Sequence, residues 1–168
     1  AAWLNKQGYS ETLINKALRQ LEIDAALGDG KALYQANKEV YRLLRYGIKE
    51  SEGIGHQNQT VWLIDWKSPE SNDFAVAEEV SVQGENTKRP DVVLYVNGMA
   101  LGVLELKRST VSVSEGIRQN LDNQKKAFIR NFFTTMQLVM AGNDNQGLRY
   151  GTIETPEKYF LQWKEEGV

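Results

Sequence analysis

The apolar positions along this chain change their period several times, and each change predicts an element. After Ser10, a residue suited to cap a helix, Leu13, Ile14, Ala17, Leu18 and Leu21 recur at three- and four-residue spacing, which predicts an amphipathic helix. Gly28 and Gly30 interrupt the pattern. A second helix is expected from about Lys31 to Tyr46, with Leu33, Ala36, Val40, Leu43 and Leu44 inward and Gly47 placed to stop it. TVWLID (Thr60–Asp65) and FAVAEEVSV (Phe74–Val82) read as strands on either side of the turn-rich KSPESND. Two further apolar runs flank Asn97-Gly98 and predict a hairpin within RPDVVLYVNGMALGVLELKRS (Arg89–Ser109). Ser112-x-x-Glu115 is a capping box that opens a helix expected to reach about Asn131, with Ile117, Leu121, Phe128 and Phe132 as its buried stripe. MQLVMAG (Met136–Gly142) and LRYGTI (Leu148–Ile153) predict two more strands. Pro156 then opens a short last helix with Phe160 and Trp163 inward. The order α-α-β-β-β-β-α-β-β-α predicts an α/β or α+β domain built on a mixed sheet flanked by helices.

The hairpin carries charges where its strands head into a core. Side chains alternate faces along a strand, so Glu105 and Lys107 point the same way. Whether Asp91 joins them depends on register. A two-residue Asn97-Gly98 loop with unbroken pairing sets Asp91 opposite Leu104, facing away from Glu105. A three-residue loop, Val96-Asn97-Gly98 with Gly98 left-handed, sets Asp91 opposite Val103, on the face shared by Glu105 and Lys107. Asn before Gly suits either turn, so a shared site requires that bulge or an equivalent kink.

The chemistry gives such a cluster a use. Two nearby carboxylates repel unless a hard divalent cation lies between them, and Mg²⁺ is commonly held by one or two carboxylates together with substrate phosphate oxygens. The Leu106 carbonyl, next to Glu105 in the chain, is a candidate for a further oxygen ligand. Lys107 alongside is suited to orient an attacking water or to stabilise developing negative charge. Acid, acid and lysine around a metal point to phosphodiester hydrolysis; a pair of salt-bridged strand ends is the other reading of the same residues.

Composition narrows the field around this cluster. The chain has 168 residues, 41% of them hydrophobic and 25% charged, which suits one globular domain with a core of its own. With no cysteine there is no disulfide, zinc-thiolate site or thiol nucleophile, and a cytoplasmic setting is expected. His56 is the only histidine and sits in the Gly-rich GIGHQNQ, so no multi-histidine metal cluster can form, and a solvated loop residue is expected. No apolar run approaches a membrane span, and AAWLNKQGYS is not expected to be a leader. The start at Ala suggests a piece of a longer protein.

The net charge of −2 argues against a bulk nucleic-acid binder, yet the segment Lys107–Arg130 is locally basic. On a helix reaching Asn131, Gln119, Asn123, Lys126 and Arg130 would form one polar stripe opposite the apolar one. Such a stripe is suited to contact phosphates through Lys126 and Arg130, and a base, ribose or catalytic group through Gln119 and Asn123.

These segments together resemble a known family. YRLLRYGIKE, VWLIDWKSPESNDFAV, KRPDVVLYVNG, LGVLELKRS and the helix bearing Gln119 are similar, in order and spacing, to the PD-(D/E)xK endonuclease domain at the N terminus of type I restriction enzyme R subunits. The resemblance runs from about Leu33 to Trp163. It implies a restriction-endonuclease-like core over residues 31–168, preceded by a helical extension over 1–30. It further implies a Mg²⁺-dependent DNA endonuclease, with Mn²⁺ as a substitute. Asp91 and Glu105 would be the metal ligands, Lys107 the catalytic lysine, and Gln119 the first position of a Gln-x-x-x-Tyr motif whose last position is here Asn123. Glu39, on an early helix, is the candidate for a further acid, against a surface ion pair with Arg42 or another neighbour. Double-stranded DNA, an ATP-driven motor in the same subunit, and separate modification and specificity subunits are the implied partners. ATP would belong to the motor, since LGDGKA (Leu27–Ala32) lacks the upstream Gly and following Ser/Thr of a phosphate-binding loop. The alternative is a catalytically silent module of the same fold that binds DNA or docks other subunits; the acidic net charge and the missing Tyr motivate it.

Overall fold

A computed structural model describes residues 1–165. Helices α1 (Ala2–Lys6), α2 (Glu11–Ala25) and α3 (Leu33–Tyr46) lead into a two-stranded antiparallel ribbon, β1 (Ile48–Glu50) with β2 (Gln59–Val61). A six-stranded sheet follows, built from β3 (Phe74–Glu78), β4 (Val92–Val96), β5 (Met99–Leu106), β6 (Leu138–Asn143), β7 (Gly147–Gly151) and β8 (Leu161–Gln162), hydrogen-bonded in that order. Among the described residues only the β5–β6 pair is parallel, and helix α4 (Val113–Asn123) lies in the crossover between them. This is the expected α/β architecture with a mixed sheet.

Among the described residues two large apolar clusters hold the chain, with a third, small one of Val113, Ile117 and Ala141 under α4. Trp3, Leu13, Ile14 and Ala17 from the first two helices pack with Val40, Leu44, Ile48 and Val61, so the N-terminal helices share one core with α3 and the ribbon. Val93, Val103 and Val139, on one face of the sheet, pack with Leu33, Ile129, Phe133 and Met136. Helix α3 reaches both clusters, and between its two apolar ends Asn37 is buried. The Asn37 amide donates to the carbonyls of Phe133, Thr134 and Met136, satisfying a strand-entry segment that forms no ladder there.

Several element ends differ from the sequence expectation, each for a local reason. Ser10 caps α2 as expected, accepting from the Leu13 N–H, and Gly47 ends α3 with φ of 72°. A β-carbon at Gly47 would lie 2.5 Å from the Thr60 methyl, so this stop also lets β1 approach β2. The TVWLID strand is cut short at Val61, because Asp65 and Asn72 gather the following loop through hydrogen bonds to Lys67, Ser68, Ser71 and the carbonyls of Asp65 and Pro69. β3 stops at Glu78, where Glu79 turns left-handed.

The capping box of α4 forms only in part: Ser112 accepts from the Ser114 N–H, whereas Glu115 reaches forward to Arg118. The helix also ends at Asn123 and not near Asn131. The carbonyls of Ala127 and Phe128, which a continuing helix would use, are taken by Asn86 and by the Glu85 N–H of the facing loop. The last helix is a single 3₁₀ turn, Glu157–Tyr159, because the next residues pair with β7 instead. Trp163 is accordingly half exposed, its ring edge-on to Tyr150 at 5.5 Å.

Candidate active site at the end of the hairpin

The Asn97-Gly98 turn is the two-residue kind. Asn97 and Gly98 have φ of 52° and 81°, both left-handed as a type I′ turn requires, and Val96 pairs with Met99. The three-residue loop is therefore absent, and the required kink lies further along. Tyr95 pairs with Ala100 but Leu94 pairs with Gly102, which leaves Leu101 as an extra residue in β5. The bulge shifts the register by one, so Val92 faces Leu104 and its continuation sets Asp91 opposite Glu105. The turn itself is pinned by Asn97, whose amide donates to the Leu63 carbonyl and to the Asn72 side chain.

The bulge brings the two acids together. Asp91 Oδ2 accepts from the Leu106 N–H at 2.8 Å, which draws it across the end of β5. The Leu106 carbonyl leaves the strand on that same side, since a strand residue's N–H and C=O point together. Glu105 is 0% exposed. One of its oxygens, Oε2, accepts from the Gln119 amide at 3.0 Å, while the other, Oε1, has no hydrogen-bond partner. Gln119 also accepts from the Lys107 ammonium through its Oε1. A single amide on α4 thus holds acid and lysine at fixed places, and Asp91, Glu105, Lys107 and Gln119 form one cluster.

Burial governs the electrostatics here. Loss of water around Glu105, next the charge of Asp91, and then a hydrogen bond that a protonated Glu105 can share with the Asp91 carboxylate push its carboxyl up to about 8, against a smaller opposing effect of Lys107. An orphaned, buried carboxylate oxygen facing a second carboxylate is what a hard cation would satisfy, so the donor set fits a divalent ion. Among the described residues no third His, Cys, Asp or Glu joins the pair.

Glu39 stands apart from this cluster. It pairs with Lys31 and accepts from Gln35, and Lys31 chiefly holds its carboxyl below the usual range. The polar stripe is likewise not formed, because α4 ends before Lys126 and Arg130. Asn123 is buried at the helix end, its carbonyl accepting from the Ile129 N–H. Lys126 is exposed on the wall of a cleft of about 630 Å³ that Lys31 also lines. Arg130 donates to the Gln124 carbonyl and stands 3.8 Å from Glu154. His56 lies in an exposed loop as expected, near Glu52.

Two residues of the site escaped the sequence reading. Gly116 lies one helical turn before Gln119 and lets α4 descend onto the sheet: a β-carbon there would meet Ala141 Cβ at 2.9 Å and Glu105 Cβ at 3.6 Å. Its signal was available, since a glycine inside a helix is unfavourable without a packing reason. Asn120 is fully buried and donates to the Met140 carbonyl, anchoring the same helix face to β6.

Two expectations follow from this geometry. Between pH 4.5 and about 8 the folded chain without metal keeps a proton on Glu105 that the unfolded chain releases, so its stability falls as pH rises through that window. Urea unfolding in a chelator should show Glu105→Gln gaining on the wild type across this range, by an order of a few kcal/mol at the upper end. Parallel pH profiles for the two proteins would contradict the buried-acid assignment. Gly116→Ala should cost about 1–3 kcal/mol by overpacking, and adding Ala141→Gly should recover most of it. Additive losses in the double variant would show that the two positions do not press on each other.

Comparison with known proteins agrees with the resemblance. The family model described as the type I restriction enzyme R protein N terminus matches residues 2–158. The type I restriction enzyme EcoprrI endonuclease subunit of Escherichia coli is 30% identical over 87 residues, 51% of this chain and 28% of that protein. The HindI endonuclease subunit of Haemophilus influenzae is 27% identical over 135 residues, 76% of this chain and 12% of that protein. The SauCOLORF180P endonuclease subunit of Staphylococcus aureus strain COL is 26% identical over 104 residues, 61% of this chain and 11% of that protein. The chain thus spans only a minor part of the relatives it matches. With the match to the family model covering nearly all of it, this chain belongs to the family of type I restriction enzyme R protein N termini.

Proposed function

We propose that this domain is a Mg²⁺-dependent endonuclease that hydrolyses DNA phosphodiester bonds within a type I restriction-modification complex. The observation that carries the reading is the unpartnered, fully buried Oε1 of Glu105, turned to the same end of the hairpin as Asp91. Asp91 and Glu105 would hold the ion, with the Leu106 carbonyl as a further oxygen, and Mn²⁺ would serve in its place. When bound, Mg²⁺ supplies Lewis acidity toward a phosphate oxygen and lowers the pKa of a coordinated water.

The chain's own groups do the rest. Lys107 brings a positive charge to the rim of the site, where it orients the attacking water or neutralises charge gathering on the non-bridging phosphate oxygens. Gln119 is a positioning residue: by accepting from Lys107 and donating to Glu105 it keeps the ammonium from collapsing onto the buried carboxylate. The exposed Lys126 is suited to a phosphate of the DNA backbone, Arg130 and Asn123 less so, being engaged or buried. Double-stranded DNA would be delivered by the motor region of the parent subunit, which would use the ATP, and the site would be chosen by separate specificity and modification subunits in the cytoplasm.

The test uses the intact complex. Asp91→Ala, Glu105→Gln and Lys107→Ala should each lower DNA cleavage by about 10²-fold or more, and Gln119→Ala by about 10–100-fold, with ATP hydrolysis retained. Undiminished cleavage in the first three variants would instead favour a catalytically silent module.

A further inference from the structure

Among the described residues, the six-stranded sheet is covered broadly on one face and on the other chiefly at its turn end. Helix α4 and the apolar cluster around Phe133 lie on the face of Val93, Val103, Glu105 and Val139. On the opposite face, the registers align Val76 with Leu94, Leu94 with Gly102, Gly102 with Leu138, Met140 with Tyr150 and Tyr150 with Leu161. In β5, Val103 and Glu105 are fully buried while Leu104 between them is not, and in β6 Leu138 beside the buried Val139 is half open, although Met140 on this same face is itself buried; Val76, Leu106 and Leu161 are exposed. A sheet face that meets water carries polar side chains at such positions, whereas strands that are apolar on both faces belong to sheets covered twice. VVLYV, MALGVLEL and LVMAGN are of the second kind. Among the described residues only the turn end of this face is covered, where Val96 and Met99 meet the N-terminal cluster.

We propose that this open face is a docking surface, and that its occupant is the polypeptide that follows this domain in its parent protein, packed as an apolar element across Leu94, Leu104, Leu138 and Tyr150. Three observations select that occupant. The family is that of an R protein's N terminus, and the matched stretches make up only 28%, 12% and 11% of three relatives, so most of such a protein follows the domain. The described chain already runs onto this face: Leu161 pairs with Tyr150, and Trp163 lays its ring against Tyr150. The central strands offer no charged side chain there, so the partner must be apolar and closely fitted, as a segment of the same fold is. The inference rests on family membership and the sheet's two faces, and stands whether or not the hairpin site cleaves DNA.

Hydroxyl-radical footprinting of the intact parent protein, read by mass spectrometry, provides the test. Trp163 and Trp66 are equally exposed in this domain, at 49% and 48%, but only Trp163 belongs to the open face. Trp163, Leu161 and Leu104 should be oxidised more slowly in the parent than their exposure here allows, with Trp163 about tenfold slower than Trp66, as burial against a packed partner requires. A photoreactive benzophenone amino acid in place of Leu138 should then cross-link within one polypeptide, to a peptide beyond Val168. Equal oxidation of the two tryptophans would overturn the proposal, and so would a cross-link that doubles the mass, which would assign the face to a second copy.

Discussion

Glu105 is a carboxylate placed where a protein of this size has no inexpensive way to keep one. It is shut from water at the middle strand pair of the sheet, beside a second acid, with one oxygen bonded to Gln119 and the other reached by no donor from the rest of the chain. Such a group is destabilising unless something outside the chain completes it, because an unsatisfied buried acceptor costs about 1–3 kcal/mol and a buried charge more. Much of the surrounding architecture makes sense as support for it. The Leu101 bulge turns Asp91 toward it, the Leu106 N–H fixes Asp91, Gly116 lets α4 come close, and Asn120 ties that helix to β6. These are backbone and packing devices on strands and a helix, which hold side chains more rigidly than loops would.

The amide of Gln119 links this constraint to chemistry. A lysine on its flexible four-methylene stem next to a buried acid would ordinarily fold onto it and neutralise the pair, leaving nothing for a ligand. Here the ammonium is bonded to Gln119 Oε1 and the acid to Gln119 Nε2, so lysine and carboxyl are linked through a neutral group and do not meet directly. The acid's orphan oxygen stays free, and the lysine stays at the rim. The same arrangement explains why a carboxyl raised to about 8 and a lysine can coexist within one small cluster.

How far this could be read from residues alone varies along the chain. The helices α2 and α3, the hairpin, β6 and β7 follow from periodicity, because their apolar spacing and their glycine or serine punctuation agree with one another. The three residues of the hairpin cluster were also legible, since an acid and a lysine two apart on an apolar strand require an explanation. Register was less accessible. A type I′ turn and a bulge at Leu101 produce the facing that a three-residue loop would also have produced, and although Gly102 inside MALGVLEL is a bulge signal, it does not say which neighbour is the extra residue. The end of α4 was hidden for a different reason: Asn86 and Glu85, some forty residues earlier in the chain, take the carbonyls that helical continuation needed. Long-range competition of this kind overrides local propensity, and it dissolved the polar stripe drawn from Gln119 to Arg130. Glu39 shows a more local case, where a plausible acid is claimed by Lys31, just ahead of the helix that carries it.

The central claim is that the unpartnered oxygen of Glu105 and the carboxylate of Asp91 together form a divalent-cation site. Crystals of the protein equilibrated with Mn²⁺ and measured at a wavelength where manganese scatters anomalously test this most directly. The account predicts an anomalous peak at bonding distance from Glu105 Oε1 and an Asp91 carboxylate oxygen, absent from crystals held in chelator. Saturating Mn²⁺ with no peak between these two residues, and Glu105 Oε1 still unbonded, would contradict it.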